Sequence, residues 1–372
     1  MSERAPISAA PPGGRHALLA GGGTGGHVFP ALAVAEELQA RGWRVSFTGS
    51  STGLEARLVG ERGLPFHPLA ARPLLGRGLW GKVQALTTVM SSGREAAGLI
   101  RKIGADVVVG TGGYVSAPAV LGARLTGRPV LLLEPNAHAG VANRWLSRFA
   151  TGAVVGYRET INDLKCRCWV TGIPIRSVFF QVPAALPPLA EPRLLVLGGS
   201  QGARQINEVL PAAAVRLFEA LPALRIVHQA GAKNVEEARA AYEKLGLTAP
   251  RVEVVPFLDD VASAMAASHL LVSRAGAITL AEICAAGRPA LLLPLSIAQA
   301  HQVDNARLLV EAGGGEMLAG GDVTSERVAA LLLELLGDGE RLARMARAAR
   351  SLARPRAAAD IADRVEALGG ES

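Results

Sequence analysis

Three cysteines in 372 residues are too few for a disulfide framework. Cys166 and Cys168 are too closely spaced for the usual C-x-x-C pair, and Cys284 stands alone, so the set excludes a zinc site and suits a reducing cytoplasm. Aromatic residues make up only 4% of the chain. With no RNP-like aromatic motif and no long basic run, nucleic acid is not an expected partner. No run of about 18 apolar residues occurs, so a spanning helix is excluded and any membrane contact is peripheral. Residues 1–14 (MSERAPISAAPPGG) lack the apolar centre of a signal peptide and read as a disordered leader.

What the chain does have is apolar content, at 49%, and many alanines and glycines. At this length that supports two cores rather than one, built as close-packed α/β layers with tight turns. Net charge is +7, from 39 basic and 32 acidic residues. That excess suits polyanions, anionic lipids or phosphorylated substrates without choosing among them.

Short apolar runs closing on turn residues alternate with helical stretches. HALLAGG, WRVSFTGS, ADVVVGTGG, RPVLLLEPN and ATGAVVGY read as strands of a parallel sheet with crossover helices over residues 15–172. A proline-rich stretch without clear period, residues 173–192, reads as the connection. The pattern restarts with PRLLVLGG and continues through RIVHQAG, VEVVPFL, HLLVSRAG and RPALLLPLS, giving a second α/β domain over residues 193–352. The last segment, 353–372, reads as a helix after Pro355 that packs back on the first domain. Each half opens with an apolar strand, a Gly loop and a helix. The expected architecture is therefore two Rossmann-like parallel-sheet domains facing across a cleft, with ligands outside the carboxyl ends of the strands.

GGGTGGH (residues 21–27) contains G-x-G-x-x-G at Gly21, Gly23 and Gly26. Such glycines let backbone N–H groups approach a phosphate, but the same pattern also serves as a tight strand-to-helix turn. A dinucleotide site wants an acid at the end of the second strand. Here that strand closes on Thr48-Gly49-Ser50-Ser51, and the first acid is Glu55. A P-loop wants G-K-[ST], and His27 stands where the lysine belongs. At a helix N-terminus the dipole favours a neutral imidazole, which is what a general base needs. A histidine that only caps or packs is the alternative.

The company of His27 is specific. GGGTGGHVFPALAVA, GTGGYVSAP (110–118), EPN (134–136), GGSQGARQIN (198–207), SRAGAITLAEICAAGRPALLLP (273–294) and HQVDNA (301–306) occur in that order. Over about residues 15–365 this set closely resembles the MurG family of lipid II-forming glycosyltransferases, glycosyltransferase family 28. The resemblance implies the GT-B fold. It implies inverting transfer of N-acetylglucosamine from UDP-N-acetylglucosamine to the C4 hydroxyl of the muramoyl sugar of lipid I, for peptidoglycan synthesis. It makes His27 the base candidate and places Thr24, Gly25 and Gly26 near donor sugar and acceptor. Asn136 matches the residue that holds the donor sugar, although an Asn after a strand is equally a turn former.

Arg176 and Ser200 match donor-binding positions, one to offset diphosphate charge and one to hydrogen-bond a phosphate oxygen. Gly276 and Ala277 begin a helix whose N–H groups can meet the diphosphate. The following Ile278, Thr279, Leu280 and Ala281 belong to the same donor stretch. Glu282 would accept from both ribose hydroxyls, unless it is an ordinary solvent-facing acid. Leu258 would offer backbone groups to uracil, and Gln302 matches a donor-sugar contact. Pro135 departs from the family's Glu-Gln-Asn, Ala275 from its Arg-Ser-Gly, and residues 297–300 lack the acid often found there. The D-x-D triplet of metal-using sugar transferases is missing, and the adjacent Asp259 and Asp260 read as a helix start, so no metal or other cofactor is expected. The helix N-terminus and Arg176 would take the cation's place.

A lipid-linked acceptor implies work at the cytoplasmic face of the inner membrane. Leu74, Leu75, Leu79, Trp80 and Val83, among Arg72, Arg77 and Lys82, are the candidate contact with an anionic surface. A core helix with a basic outer face is the alternative. The resemblance also implies cell-wall and division proteins as partners. Three rival readings are a nicotinamide dehydrogenase, a non-catalytic membrane scaffold, and a related transferase acting on another lipid such as diacylglycerol.

Overall fold

The computed structural model describes residues 14–69, 79–199, 202–295 and 301–370. The chain divides into two compact units, residues 1–176 with 356–372, and residues 177–355.

The first unit holds β1 (His16–Ala20), β2 (Arg44–Gly49), β3 (Phe66–Pro68), β4 (Val107–Gly110), β5 (Val130–Glu134), β6 (Gly152–Val155) and β7 (Arg167–Val170). All pair in parallel, in the order β3-β2-β1-β4-β5-β6-β7. The crossovers carry α1 (Gly25–Ala40), α2 (Leu54–Gly60), α3 (Leu79–Ile103), α4 (Ala117–Thr126) and α5 (Val141–Leu146). Helices on both faces bury β1, β4 and β5 completely, which is why those strands read as unbroken apolar runs.

The second unit repeats the plan. β8 (Arg193–Leu197), β9 (Arg225–Gln229), β10 (Val252–Val255), β11 (Leu270–Ser273), β12 (Ala290–Leu292) and β13 (Gly315–Met317) form a parallel sheet in the order β10-β9-β8-β11-β12-β13. Its helices are α6 (Arg204–Ala220), α7 (Val235–Glu243), α8 (Val261–Ala266), α9 (Ala277–Ala286), α10 (His301–Glu311), α11 (Ser325–Leu336) and α12 (Gly339–Ser351). The final helix, α13 (Ala357–Gly370), returns to the first unit. There Arg41, which follows α1, donates to Asp363 at 2.7 Å and to Glu366 at 2.8 Å, and Trp43 Nε1 donates to Glu366 at 3.2 Å. Residues 177–192 are tied to the second unit by cations on backbone carbonyls. Arg350 donates to Phe180 O and Val182 O, and the fully buried Arg288 donates to Pro183 O.

In each sheet the chain runs outward from its first strand and then restarts on the other side. The strand order therefore reverses between β1 and β4, and again between β8 and β11. Loops leaving the carboxyl ends of those pairs turn apart and open a crevice, which is where open α/β sheets bind ligands. The quoted Gly-rich motifs fall on these four loops.

Candidate active site

In the first unit, α1 starts at Gly25, directly after the glycine loop. That puts His27 in the first helical turn, half-buried, against the loop after β4. Gly112 and Gly113 of that loop have φ of +94° and +73°. A Cβ at Gly112 would stand 3.0 Å from His27 Cδ2, so these positions need glycine both for backbone conformation and for room. His27 Nδ1 lies 3.1 Å from the Gly22 carbonyl oxygen and 3.2 Å from Thr24 Oγ1. A carbonyl can only accept, so Nδ1 carries the proton and Nε2 is the basic nitrogen of the neutral ring. Burial holds the His27 pKa below its ordinary value, against the opposing pull of Glu134, the Gly22 carbonyl and Glu55. The imidazole is therefore neutral at neutral pH.

Two buried carboxylates shape this corner. Glu134, at the end of β5, accepts from Asn136 N (3.1 Å), Asn136 Nδ2 (2.9 Å), Gly140 N (2.9 Å) and Asn143 Nδ2 (3.0 Å). The Asn136 amide is thus oriented by the acid two residues before it. Asn143 Oδ1 is buried with no hydrogen-bond partner among the described residues. Glu55, on α2, accepts Gly23 N at 3.1 Å and Ser50 N at 2.9 Å. Its carboxylate is spent on its own loop, which removes the one acid near the end of β2 from any role on a ribose. The motif reading missed these roles of Glu55, Glu134 and Asn143. Glu134 lies inside a quoted motif, and the other two carry no local signal.

In the second unit, α9 starts at Ala277 behind Gly276, whose backbone is extended and makes no side-chain cap. The first N–H groups of α9 have no intrahelical partner and face the loop end of the sheet. Ala277 and Leu280 are buried, while Ile278, Thr279, Ala281 and Glu282 are half-buried. The preceding loop is held by Asn305 Nδ2 on Ala275 O (3.2 Å) and by Arg274 on Gln205 Oε1 (3.3 Å). Gln302 Oε1 accepts Leu295 N at 2.9 Å, so its amide oxygen is engaged by the backbone. Leu258 is half-buried in the loop between β10 and α8, and Asp260 caps α8 through Ser263 N at 3.0 Å. Arg176 ends the first unit, its guanidinium 5.6 Å over the Phe29 ring of α1.

Ser200, Leu74 and Leu75 lie outside the described residues, as do residues 297–300. Leu79, Trp80 and Val83 fall in the first two turns of α3. A cavity of about 460 Å³, lined by Arg124, Arg128 and Arg148 among others, lies at the amino ends of β5 and β6, away from these loops.

Residues 17–155 match the N-terminal domain of glycosyltransferase family 28, and residues 193–365 match its C-terminal domain. The chain belongs to glycosyltransferase family 28. A relative from Sorangium cellulosum (strain So ce56) is 43% identical over 351 residues, 93% of this chain and 86% of its own length. One from Halorhodospira halophila (strain DSM 244 / SL1) is 42% identical over 360 residues, covering 95% and 97%. Both are named UDP-N-acetylglucosamine--N-acetylmuramyl-(pentapeptide) pyrophosphoryl-undecaprenol N-acetylglucosamine transferase. The crystal structure of Acinetobacter baumannii MurG matches with a TM-score of 0.75 at 33% identity, covering 95% of this chain and 99% of that one. The family 28 assignment and the two parallel sheets agree on a GT-B fold of two Rossmann-like domains. They set aside the dehydrogenase reading.

Proposed function

We propose that this chain is a hexosyltransferase that moves N-acetylglucosamine from UDP-N-acetylglucosamine to the undecaprenyl-diphosphate-linked muramoyl pentapeptide, forming lipid II. The observation that carries this reading is identity above 40%, over more than nine-tenths of the chain, to transferases named for that reaction. The chemistry of the loops agrees. His27 Nε2 takes the proton of the muramoyl C4 hydroxyl as that oxygen attacks the anomeric carbon. The bond from that carbon to the UDP oxygen breaks, and configuration inverts. The leaving diphosphate is met by the N–H groups at the start of α9 and by Arg176, with Ser200 as a further donor. Asn136 and Gln302 hold the sugar, Glu282 the ribose and Leu258 the uracil.

A lipid acceptor requires reach to the membrane. No described helix is long and apolar enough to cross one. The basic and apolar stretch that runs into α3 supports peripheral contact with an anionic surface, at the cytoplasmic face. Participation in cell-wall growth and division follows from the product.

The test is transfer of labelled N-acetylglucosamine to a lipid I analogue without added metal, with diacylglycerol as control acceptor. Transfer to lipid I alone is expected. Transfer to diacylglycerol, or UDP binding without transfer, would overturn the acceptor. Absence of UDP binding would overturn the whole reading.

A further inference from the structure

The Gly22–Gly23 peptide group is held from both ends. Its carbonyl oxygen accepts from His27 Nδ1 at 3.1 Å, and its N–H donates to Glu55 Oε2 at 3.1 Å. One planar, resonance-coupled unit therefore stands between a carboxylate and an imidazole. The other carboxylate oxygen, Oε1, accepts Ser50 N at 2.9 Å, so the group cannot rotate away. We propose that Glu55 is a positioning residue for His27, acting through this single peptide group.

The construction is specific. Glu55 is 1% exposed and makes no ion pair among the described residues. Burying a carboxylate without a cation is costly, and two backbone N–H bonds are its compensation. The space comes from three glycines, one in the loop after β1 and two bounding the connection from β2 to α2. A Cβ at Gly22 or at Gly53 would overlap the carboxylate, and one at Gly49 would stand 2.8 Å from its Cγ. These glycines are thus explained by the side chain they admit. Gly23, whose φ is +86°, meets nothing within 4 Å and is explained by its backbone instead.

The consequence for His27 follows from the direction of each bond. A carboxylate on the Gly23 N–H polarises the peptide and makes the Gly22 oxygen a stronger acceptor. A stronger acceptor fixes the proton on Nδ1, holds the ring in place and supports the imidazolium that forms when Nε2 takes a proton. Among the described residues, the charged groups that act on His27 are Glu134, from the end of β5, and Glu55, from α2; the loop after β4 faces it with Gly112 and Gly113. Both charges favour the protonated ring. Glu55 alone is joined to it through a peptide.

This inference rests on His27 as the base, so the experiment separates the two. Full-length wild type, Glu55→Gln, His27→Ala and the double variant are compared in transfer to a lipid I analogue, with UDP affinity and Tm as checks on folding. Gln keeps the volume but presents one acceptor and an NH2 to two N–H donors. Glu55→Gln is expected to lower kcat roughly tenfold with donor KM within about twofold. It should also move the acid limb of the pH–rate profile to lower pH, because a charge favouring imidazolium is lost. In the His27→Ala background the same change should have no further effect on kcat. An equal loss in both backgrounds would make Glu55 merely structural and overturn the proposal, as would an unchanged kcat and pH profile. Normal turnover by His27→Ala would overturn the base reading and this inference with it. If Glu55→Gln does not fold, the tautomer decides: ¹⁵N spectra of histidine-labelled wild type, with the His27 signal assigned by its loss in His27→Ala, should show Nδ1 protonated. Protonation of Nε2 in the neutral ring would overturn the proposal.

Discussion

The loop after β1 and the loop after β8 begin alike. Each leaves the first strand of a parallel sheet at the same topological position, each is rich in glycine, and each feeds a long helix. Their surroundings differ in charge. Among the described residues, the buried carboxylates are Glu55 and Glu134; Glu55 holds the first loop through Gly23 N, and both act on His27. The second unit has no buried acid among its described residues; its buried charge is the cation Arg288. Behind its Gly loop stands a neutral network instead. Asn207 Nδ2 donates to Ala230 O at 3.0 Å, and that fixes Asn207 Oδ1 toward His228 Nε2 at 3.1 Å. His228 Nδ1 then accepts from the Tyr242 hydroxyl at 3.1 Å. Carboxylates suit a loop that must manage a proton. On the proposed function, in which Ser200 of the second loop donates to the diphosphate, uncharged support serves that loop better, since buried anions would repel the ligand.

The largest effect should come from removing the proton-handling side chain. His27→Ala is expected to lower kcat by about 10²–10⁴-fold while UDP binding stays within twofold of wild type. Steady-state kinetics with UDP titration checks it, and equal losses in kcat and UDP affinity would erase the division of labour between the loops. The His27 pKa lies below its ordinary value, so the acid limb of kcat/KM should fall below about pH 6.5.

How much of this was legible depends on where the partners lie in sequence. The inner strands and the Gly loops could be read because burial on both faces writes a continuous apolar run, and a glycine run marks its turn locally. The three strands that escaped, β3, β7 and β13, are sheet edges of three or four residues. Phe66-His67-Pro68 and Gly315-Glu316-Met317 are covered on fewer sides and carry no apolar run. His27 was legible because it adjoins the glycines it uses. Glu55 was not: it meets the loop from 32 positions beyond Gly23, and no spacing rule connects a helix residue to a turn in the preceding crossover.

Burial pushes the His228 pKa down to about 4, well below that of an unfolded chain. Between about pH 6.5 and 4 the unfolded state binds the extra proton, so stability is full above that window and falls as pH is lowered through it, by about 3 kcal/mol from this residue. Thermal unfolding across that range should show the loss. His228→Gln, which cannot titrate, should show less of it, and an unchanged slope would mean that His228 is not the acid-sensitive group.

A smaller effect should follow from giving α9 the cap it lacks. Gly276 has φ −68° and ψ 135°, and a Cβ there would stand 3.9 Å from Thr279 Oγ1, so a side chain fits without strain. Gly276→Asp would place a carboxylate on the N–H groups that the proposed function gives to the diphosphate. UDP affinity should fall about tenfold, roughly 1.4 kcal/mol, with Tm unchanged or raised, as read by calorimetric titration and thermal melts.

The smallest effect is the mirror of that one. α12 is a structural helix, and its cap is occupied: Asp338 accepts Arg341 N at 2.8 Å. Asp338→Ala should cost about 1 kcal/mol of stability and leave kcat and UDP affinity untouched, because no ligand competes for those N–H groups. The two variants make opposite demands on one motif. A helix end that serves the fold loses stability when its cap is removed, and a helix end that serves a ligand loses affinity when a cap is added. If Gly276→Asp lowered only stability, or Asp338→Ala lowered UDP affinity, the assignment of α9 to the diphosphate would fail, because its bare N-terminus would then be no different in kind from the capped ones.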